Sequence, residues 1–161
     1  MQSWIKASAF CAAAALAPSA QAQTPLTEHN ISMGLSQAII AGAIEQCTKD
    51  GYKVSVVIVD NAGVSRASLR GDGTPPHTME FARRKAYTSL TRRITSLEFM
   101  TQTETTPALR QIPDTVAIGG GVPIKIGTEV IGAVGVSGAP GGEKDEVCAK
   151  AGIAKVADQL K

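Results

Sequence analysis

Apolar residues at helical spacing indicate three helices along the chain. The first begins at a cap on Thr27 and runs to about Asp50, and the second runs from about His77 to Leu97. A third occupies residues 143–160, close to the C-terminus. In each segment the apolar positions recur every three or four residues, which is typical of a helix that buries one face.

Runs of β-branched residues between these helices predict strands. Residues 52–60 are almost continuously apolar, as in a central strand, and residues 64–70 follow after the turn sequence Asp-Asn-Ala-Gly at 60–63. Asn and Gly tolerate the positive φ angles of a tight turn, so the two strands form a hairpin. Residues 130–138 predict a second central strand.

Two shorter strands are predicted at residues 115–118 and 123–126, on either side of a glycine-rich turn. The polar, proline-punctuated segment 101–115 predicts mostly loop or a short helical turn. The element order is then α-β-β-α-β-β-β-α. Because the connections between strands are short, the sequence predicts an α/β fold of the α+β type, with a five-stranded antiparallel sheet covered by helices.

The N-terminal 22 residues have the features of a secretory signal peptide. The cation Lys6 precedes an apolar run too short to span a bilayer, and small residues follow up to Ala22. We therefore expect cleavage after Ala22 and a periplasmic or secreted product. Residues 23–161 have the length of one domain.

The charge balance gives no support for nucleic acid or an anionic membrane as a partner. The chain carries 16 Lys and Arg against 14 Asp and Glu, and Lys6 leaves with the predicted signal. A nearly neutral chain has no electrostatic reason to bind a polyanion. No later apolar run is long enough for membrane insertion.

Two cysteines, Cys47 and Cys148, remain once the predicted signal with Cys11 is removed. In an exported protein such a pair is a candidate disulfide. The pairing requires the end of the first helix to meet the start of the last, as in antiparallel packing. Two buried free thiols are the alternative.

Glycines are concentrated in residues 117–147, but their context excludes the familiar nucleotide loops. No strand follows the last helix, and no Gly-Lys-Ser/Thr is present. Glycines within a strand indicate close approach by another group, and those before the last helix lead to its positive end, which favours an anion. Glu143 and Asp145 offer an internal alternative to such an anion. The candidate ligand-contacting glycines are Gly120, Gly121, Gly138 and Gly141.

Residues 56–90 and 119–153 together resemble the GlcG/HbpS-like family of haem-binding proteins, also described as haem-degrading. The resemblance extends from about Leu26 to Lys161. It implies a compact profilin/PAS-like domain with an antiparallel five-stranded sheet, assembled into homo-oligomers from dimers to octamers. It also implies haem or a related ligand, bound near subunit contacts.

His77 and His29 are the candidate ligands for haem iron, because His is a common axial ligand and the chain contains no other histidine. His77 ranks first, since it precedes Arg83, Arg84 and Lys85, which could pair with propionates. The alternative is an exposed histidine at a helix start beside a solvated basic face. His29 ranks second, with a surface position as its alternative.

The sequence gives little support for catalysis. No Ser-His-Asp set, H-E-x-x-H or paired C-x-x-C motif is present. We therefore expect an exported ligand-binding protein, with haem as the leading ligand, that acts in sequestration, sensing or delivery. The alternatives are an enzyme that degrades haem or processes a small acid, and an accessory module that docks a partner.

Overall fold

The computed structural model describes residues 23–161, so the predicted signal peptide at 1–22 lies outside the described residues. The helices are α1 (Met33–Lys49), α2 (Thr78–Arg92), α3 (Ser96–Thr105) and α4 (Gly142–Ala154). The strands are β1 (Ser55–Asp60), β2 (Ser65–Arg70), β3 (Gly121–Ile126) and β4 (Glu129–Ser137), and short 3-10 turns lie at Pro107–Gln111 and Ala157–Gln159. None of the helices in this part of the chain is long and apolar enough to cross a membrane.

The four strands form one antiparallel sheet in the order β2-β1-β4-β3. The predicted α+β class and antiparallel sheet are therefore confirmed, but the prediction of five strands is wrong. Residues 115–118 do not form a strand, because their backbone is bound by α2 instead: Val116 N donates to Thr88 Oγ1 at 2.9 Å. The observed order is α-β-β-α-α-β-β-α.

The second predicted helix is in fact two helices. Arg93 adopts a left-handed conformation with φ 59°, which ends α2. A capping box then starts α3, because Thr95 Oγ1 accepts from Glu98 N and the Glu98 carboxylate accepts from Thr95 N. Part of the segment predicted as loop is consequently helical.

Helix α1 also begins later than the sequence predicted, since the predicted cap was Thr27. Ser32 is its N-cap, and the Ser32 hydroxyl accepts from Leu35 N at 3.2 Å. Just before the cap, Ile31 N donates to Ile131 O at 3.1 Å. This bond holds the segment that enters α1 against the start of β4.

The helices cover both faces of the sheet. Helices α1 and α4 pack together over one face, and α2 packs on the other. The larger core contains β-sheet residues such as Val56, Ile58 and Val134, whereas Val57 and Ala133 point to α2. Strand β1 is buried along its whole length because both of its faces are covered.

A disulfide joins Cys47, near the end of α1, to Cys148 in α4. The two Cα atoms are 5.5 Å apart, and both residues are fully buried. This is the pairing considered from the sequence, and it fastens the two helices that cover the larger core.

Candidate functional site

Two glycines allow α2 to lie directly on the sheet. A Cβ on Gly135 of β4 would overlap the carbonyl oxygen of Ala82, and one on Gly121 of β3 would overlap that of Lys85. Glycine is therefore required at both positions by the close approach of the helix backbone. This seating leaves one cavity beside each half of α2.

The cavity beside the C-terminal half of α2 has a volume of about 400 Å³. It lies where the β1–β2 turn and the β3–β4 turn approach the helix. Its lining combines the apolar surfaces of Tyr87, Leu90 and Val130 with the charged groups of Glu28, Arg93 and Glu129. A ligand there would meet both apolar contacts and charges of each sign.

His29 lies beside this cavity, because its neighbour Glu28 and its partner Glu129 both line it. The Nδ1 atom of His29 is 2.8 Å from Glu129 Oε2. A carboxylate can only accept, so Nδ1 carries the hydrogen, and in the neutral imidazole Nε2 then keeps its lone pair. The backbone is also held, since Asn61 Nδ2 donates to His29 O at 2.9 Å.

Arg93 supplies the cation of this cavity. Arg93 lies at the turn between α2 and α3. Its backbone has a left-handed φ of 59°, which is unusual for a residue other than glycine. Within residues 23–161 its guanidinium makes no hydrogen bond or ion pair. The group is therefore available to an anionic part of a ligand.

The second cavity is a groove of about 280 Å³ beside the N-terminal half of α2. His77 is exposed at the start of the helix, and its ring meets Phe81 edge-on with 5.7 Å between the ring centroids. Its ring makes no hydrogen bond to any other described residue. Gly138 and Gly141 line the opposite wall.

A buried ion pair lies at the groove. Lys85 Nζ is 2.7 Å from Asp145 Oδ2 and donates to Val136 O at 3.1 Å, while Ala139 N donates to Asp145 Oδ1 at 2.9 Å. Each charged side chain is only 3% exposed. Burial raises the pKa of Asp145 above its ordinary value, although the adjacent ammonium acts in the opposite direction.

Arg83 and Arg84 point away from the groove. Arg83 forms ion pairs of 2.8 Å with both Glu80 and Asp114, and its hydrogen bonds, together with its charge, lower the pKa of both carboxyl groups. Arg84 donates to Thr115 O at 2.8 Å. Both arginines therefore hold the 114–115 loop against α2. Of the three predicted cations, only Lys85 lines the groove.

The structure brings some of the predicted site residues together and separates others. The groove contains His77, Lys85, Gly138 and Gly141. Gly120 lies behind the ion pair, where a Cβ would stand 2.7 Å from Asp145 Cβ, and Gly121 lies under α2. His29 lies beside the other cavity, and none of the four candidate glycines lines that cavity.

Sequence reasoning missed Arg93 and Glu129 at the first cavity and Ser137 at the groove. One signal was present for Arg93, because Thr95 and Glu98 have the spacing of a capping box, which implies a helix break just before them. Nothing in the sequence indicates that Glu129 meets a residue 100 positions away.

Comparison with known proteins identifies the family. Residues 31–154 match the family described as haem degrading protein HbpS-like. The match covers most of the chain, so the protein belongs to the HbpS-like family, as the two sequence segments predicted.

Individual relatives agree with this assignment. Protein GlcG of Escherichia coli K12 is 36% identical over 109 residues, which are 66% of this chain and 81% of GlcG. The crystal structure of a double mutant of Streptomyces reticuli HbpS is 34% identical, with a TM-score of 0.78, and covers 89% of this chain and 97% of its own. The PduOC:heme complex shares the fold at 23% identity, with a TM-score of 0.71 over 78% of this chain and 94% of its own.

Proposed function

We propose that the protein binds haem at the cavity beside the C-terminal half of α2, with His29 Nε2 as the axial ligand. The observation that carries the proposal is the 2.8 Å hydrogen bond between His29 Nδ1 and Glu129. Metal-ligating histidines commonly donate their other ring nitrogen to a carboxylate, which fixes the tautomer and increases the basicity of the ligating nitrogen. His77 has no such partner among the described residues.

The surroundings of His29 suit haem better than a bare metal ion. Within the described part of the chain, no three His, Cys, Asp or Glu side chains converge in a way that could hold a metal. Haem iron brings the nitrogens of its own macrocycle, so one histidine from the protein can be enough. Bound haem would supply a redox-active iron, and the protein would hold and orient it.

The lining of the cavity fits the two parts of a haem molecule. Leu90, Val130 and the ring of Tyr87 offer apolar surface to the macrocycle. The free guanidinium of Arg93 offers a charged partner to a propionate. Glu28, which lines the same cavity, carries a like charge and would direct the propionates toward Arg93.

Two of the comparisons support haem in particular. The family is described as haem degrading, and one protein of the same fold was crystallised as a haem complex. We propose binding for sequestration, sensing or delivery rather than turnover, because the described residues that line the cavity include no Ser-His-Asp set. Formation of a haem breakdown product with a reductant present would instead favour the enzyme alternative.

We further propose that the protein acts outside the cytoplasm, as a homo-oligomer. The signal-like N-terminus and the Cys47–Cys148 disulfide support export, since disulfides persist in oxidising compartments. An open cavity covers a haem only in part, so a second copy would complete the site. Fractionation of expressing cells and light scattering of the purified protein, with and without haemin, test these two proposals.

A haemin titration followed by absorption spectroscopy tests the haem proposal. We expect a saturable, sharp Soret band for the wild-type protein and its loss in His29→Ala. His77→Ala is the matched control, because it removes the other histidine and should leave the band intact. A band that survives His29→Ala and disappears in His77→Ala would overturn the assignment of the ligand, and a free-haemin spectrum throughout would overturn haem binding.

A further inference from the structure

We propose that the groove beside the N-terminal half of α2 is a second ligand site, which binds a small carboxylic acid independently of the haem cavity. It is lined by His77, Phe81, Ser137 and the backbone between Gly138 and Gly142, with the Lys85–Asp145 pair adjoining. Three separate features point to a carboxylate.

The first feature is the hydroxyl of Ser137. The residue is only 6% exposed and lines the groove, yet its hydroxyl makes no hydrogen bond within residues 23–161. Ser55, which stands opposite it in the sheet, is satisfied, because its hydroxyl lies 2.8 Å from Thr78 Oγ1. Because Ser137 lines the groove, its hydroxyl is a donor that a ligand in the groove can engage in place of solvent.

The second feature is the N-terminus of α4, which opens into the same groove. Gly141, its N-cap, has no side chain to cap the helix, and the N–H groups of Gly142 and Glu143 have no acceptor among the described residues. The free N–H groups and the positive end of the helix dipole favour an anion. Together with Ser137 they form a set of donors without an acceptor.

The third feature is the charge and size of the groove. The charge of Lys85 is balanced by Asp145, and two of its three N–H groups are used by Asp145 and Val136. One N–H remains for a ligand, but no net charge is left over for a multivalent anion. With a volume of about 280 Å³ and an aromatic wall from Phe81 and His77, the groove fits a small monocarboxylate with a planar or apolar body.

Glu143 acts as a competitor in this arrangement. Its carboxylate lies over Gly141, so closely that a Cβ on Gly141 would contact Glu143 Oε1. A bound carboxylate must displace it or tolerate the like charge. Neutralising Glu143 should therefore strengthen binding, whereas removing the Ser137 hydroxyl should weaken it.

Benzoate is a suitable probe, and benzamide is its uncharged control. We would titrate the ¹⁵N-labelled protein with each and follow backbone amide shifts by NMR. Benzoate should give saturable shifts centred on Gly138, Gly142 and Glu143, and benzamide should not. Ser137→Ala should raise the dissociation constant about tenfold, as expected for the loss of one hydrogen bond to a charged group, and Glu143→Gln should lower it.

Two further variants separate this site from general effects. Thr105→Ala removes an exposed hydroxyl at the end of α3, where it bonds only to Gln102 O, and should leave the affinity unchanged. His29→Ala should also leave benzoate binding unchanged, so failure of the haem proposal would not affect this one. Equal shifts with benzamide, shifts scattered over the surface, or an unchanged affinity in Ser137→Ala would overturn the proposal.

Discussion

Lys85 of α2 and Asp145 of α4 form a buried ion pair with 2.7 Å between Nζ and Oδ2, although their helices cover opposite faces of the sheet. The pair also holds the backbone of β4 through Val136 O and the following loop through Ala139 N. One interaction therefore ties together four segments around the groove.

Breaking this pair from one side should be costly. Lys85→Met leaves the carboxylate of Asp145 buried without its cation, and we expect the free energy of unfolding to fall by about 3–5 kcal/mol. The double variant Lys85→Met/Asp145→Asn should recover much of the loss, because no buried charge remains. Urea denaturation measures the free energy of unfolding of the single and the double variant. A single variant as stable as the wild type would show that the pair is not an important constraint.

The seating of α2 on the sheet depends on Gly135. Gly135→Ala forces a methyl group into the backbone of α2 at Ala82, so we expect a loss of about 1–3 kcal/mol from overpacking and a shifted helix. Gly34→Ala is the matched control, since a Cβ there meets nothing within 4 Å and alanine favours the helix by up to about 1 kcal/mol. Thermal denaturation should move the two melting temperatures in opposite directions. Equal effects would mean that α2 can yield at this contact.

The exposed cluster that joins the ends of α1 and α4 should contribute to stability in a pH-dependent way. Hydrogen bonds from Lys49 and Lys155 lower the pKa of Glu45 to about 2. Because the folded-state pKa is depressed, the contribution is present above the ordinary pKa of 4.5 and is lost as pH falls toward 2.

Urea midpoints of the wild type and Glu45→Gln should therefore differ at pH 6 and converge near pH 2. Glu104→Gln provides a control, because Glu104 is exposed and makes no ion pair with any residue of the described range. A difference between wild type and Glu45→Gln that is the same at both pH values would contradict the role of this cluster.

The disulfide should stabilise the protein by constraining the unfolded chain. Its cysteines are 101 residues apart, and removal of a native disulfide commonly costs about 2–5 kcal/mol. We expect Cys47→Ser/Cys148→Ser to lower the urea midpoint by a corresponding amount, with the variant insensitive to reductant. Treatment of the wild-type protein with reductant should reproduce the variant. A wild type that reductant leaves unchanged would argue against a stabilising disulfide.

Much of the fold follows from local sequence patterns. The hairpin at 60–63, the central strands and the last helix are each set by periodicity or turn chemistry over a few residues. The errors arose where tertiary contacts override such patterns. Residues 115–118 are rich enough in β-branched residues for a strand, but Thr88 of α2 takes the backbone N–H of Val116.

The sites were less predictable because they form between distant segments. The groove was partly anticipated, since His77 and the glycines before α4 have recognisable local signatures. Its unpaired donor at Ser137 emerges only from packing. The pairing of His29 with Glu129 depends on the register of β4 and on the path before α1, and no local pattern specifies either. This pairing is the reason for proposing His29 rather than His77 as the ligand of haem iron.

The most direct test of the haem site is a crystal structure of the haemin-loaded protein with an anomalous difference map recorded at the iron absorption edge. The proposed site requires one iron peak beside the C-terminal half of α2, bonded to His29 Nε2, with Glu129 still hydrogen-bonded to Nδ1 and a propionate at Arg93. An iron peak bonded to His77, or one remote from both histidines, would contradict it.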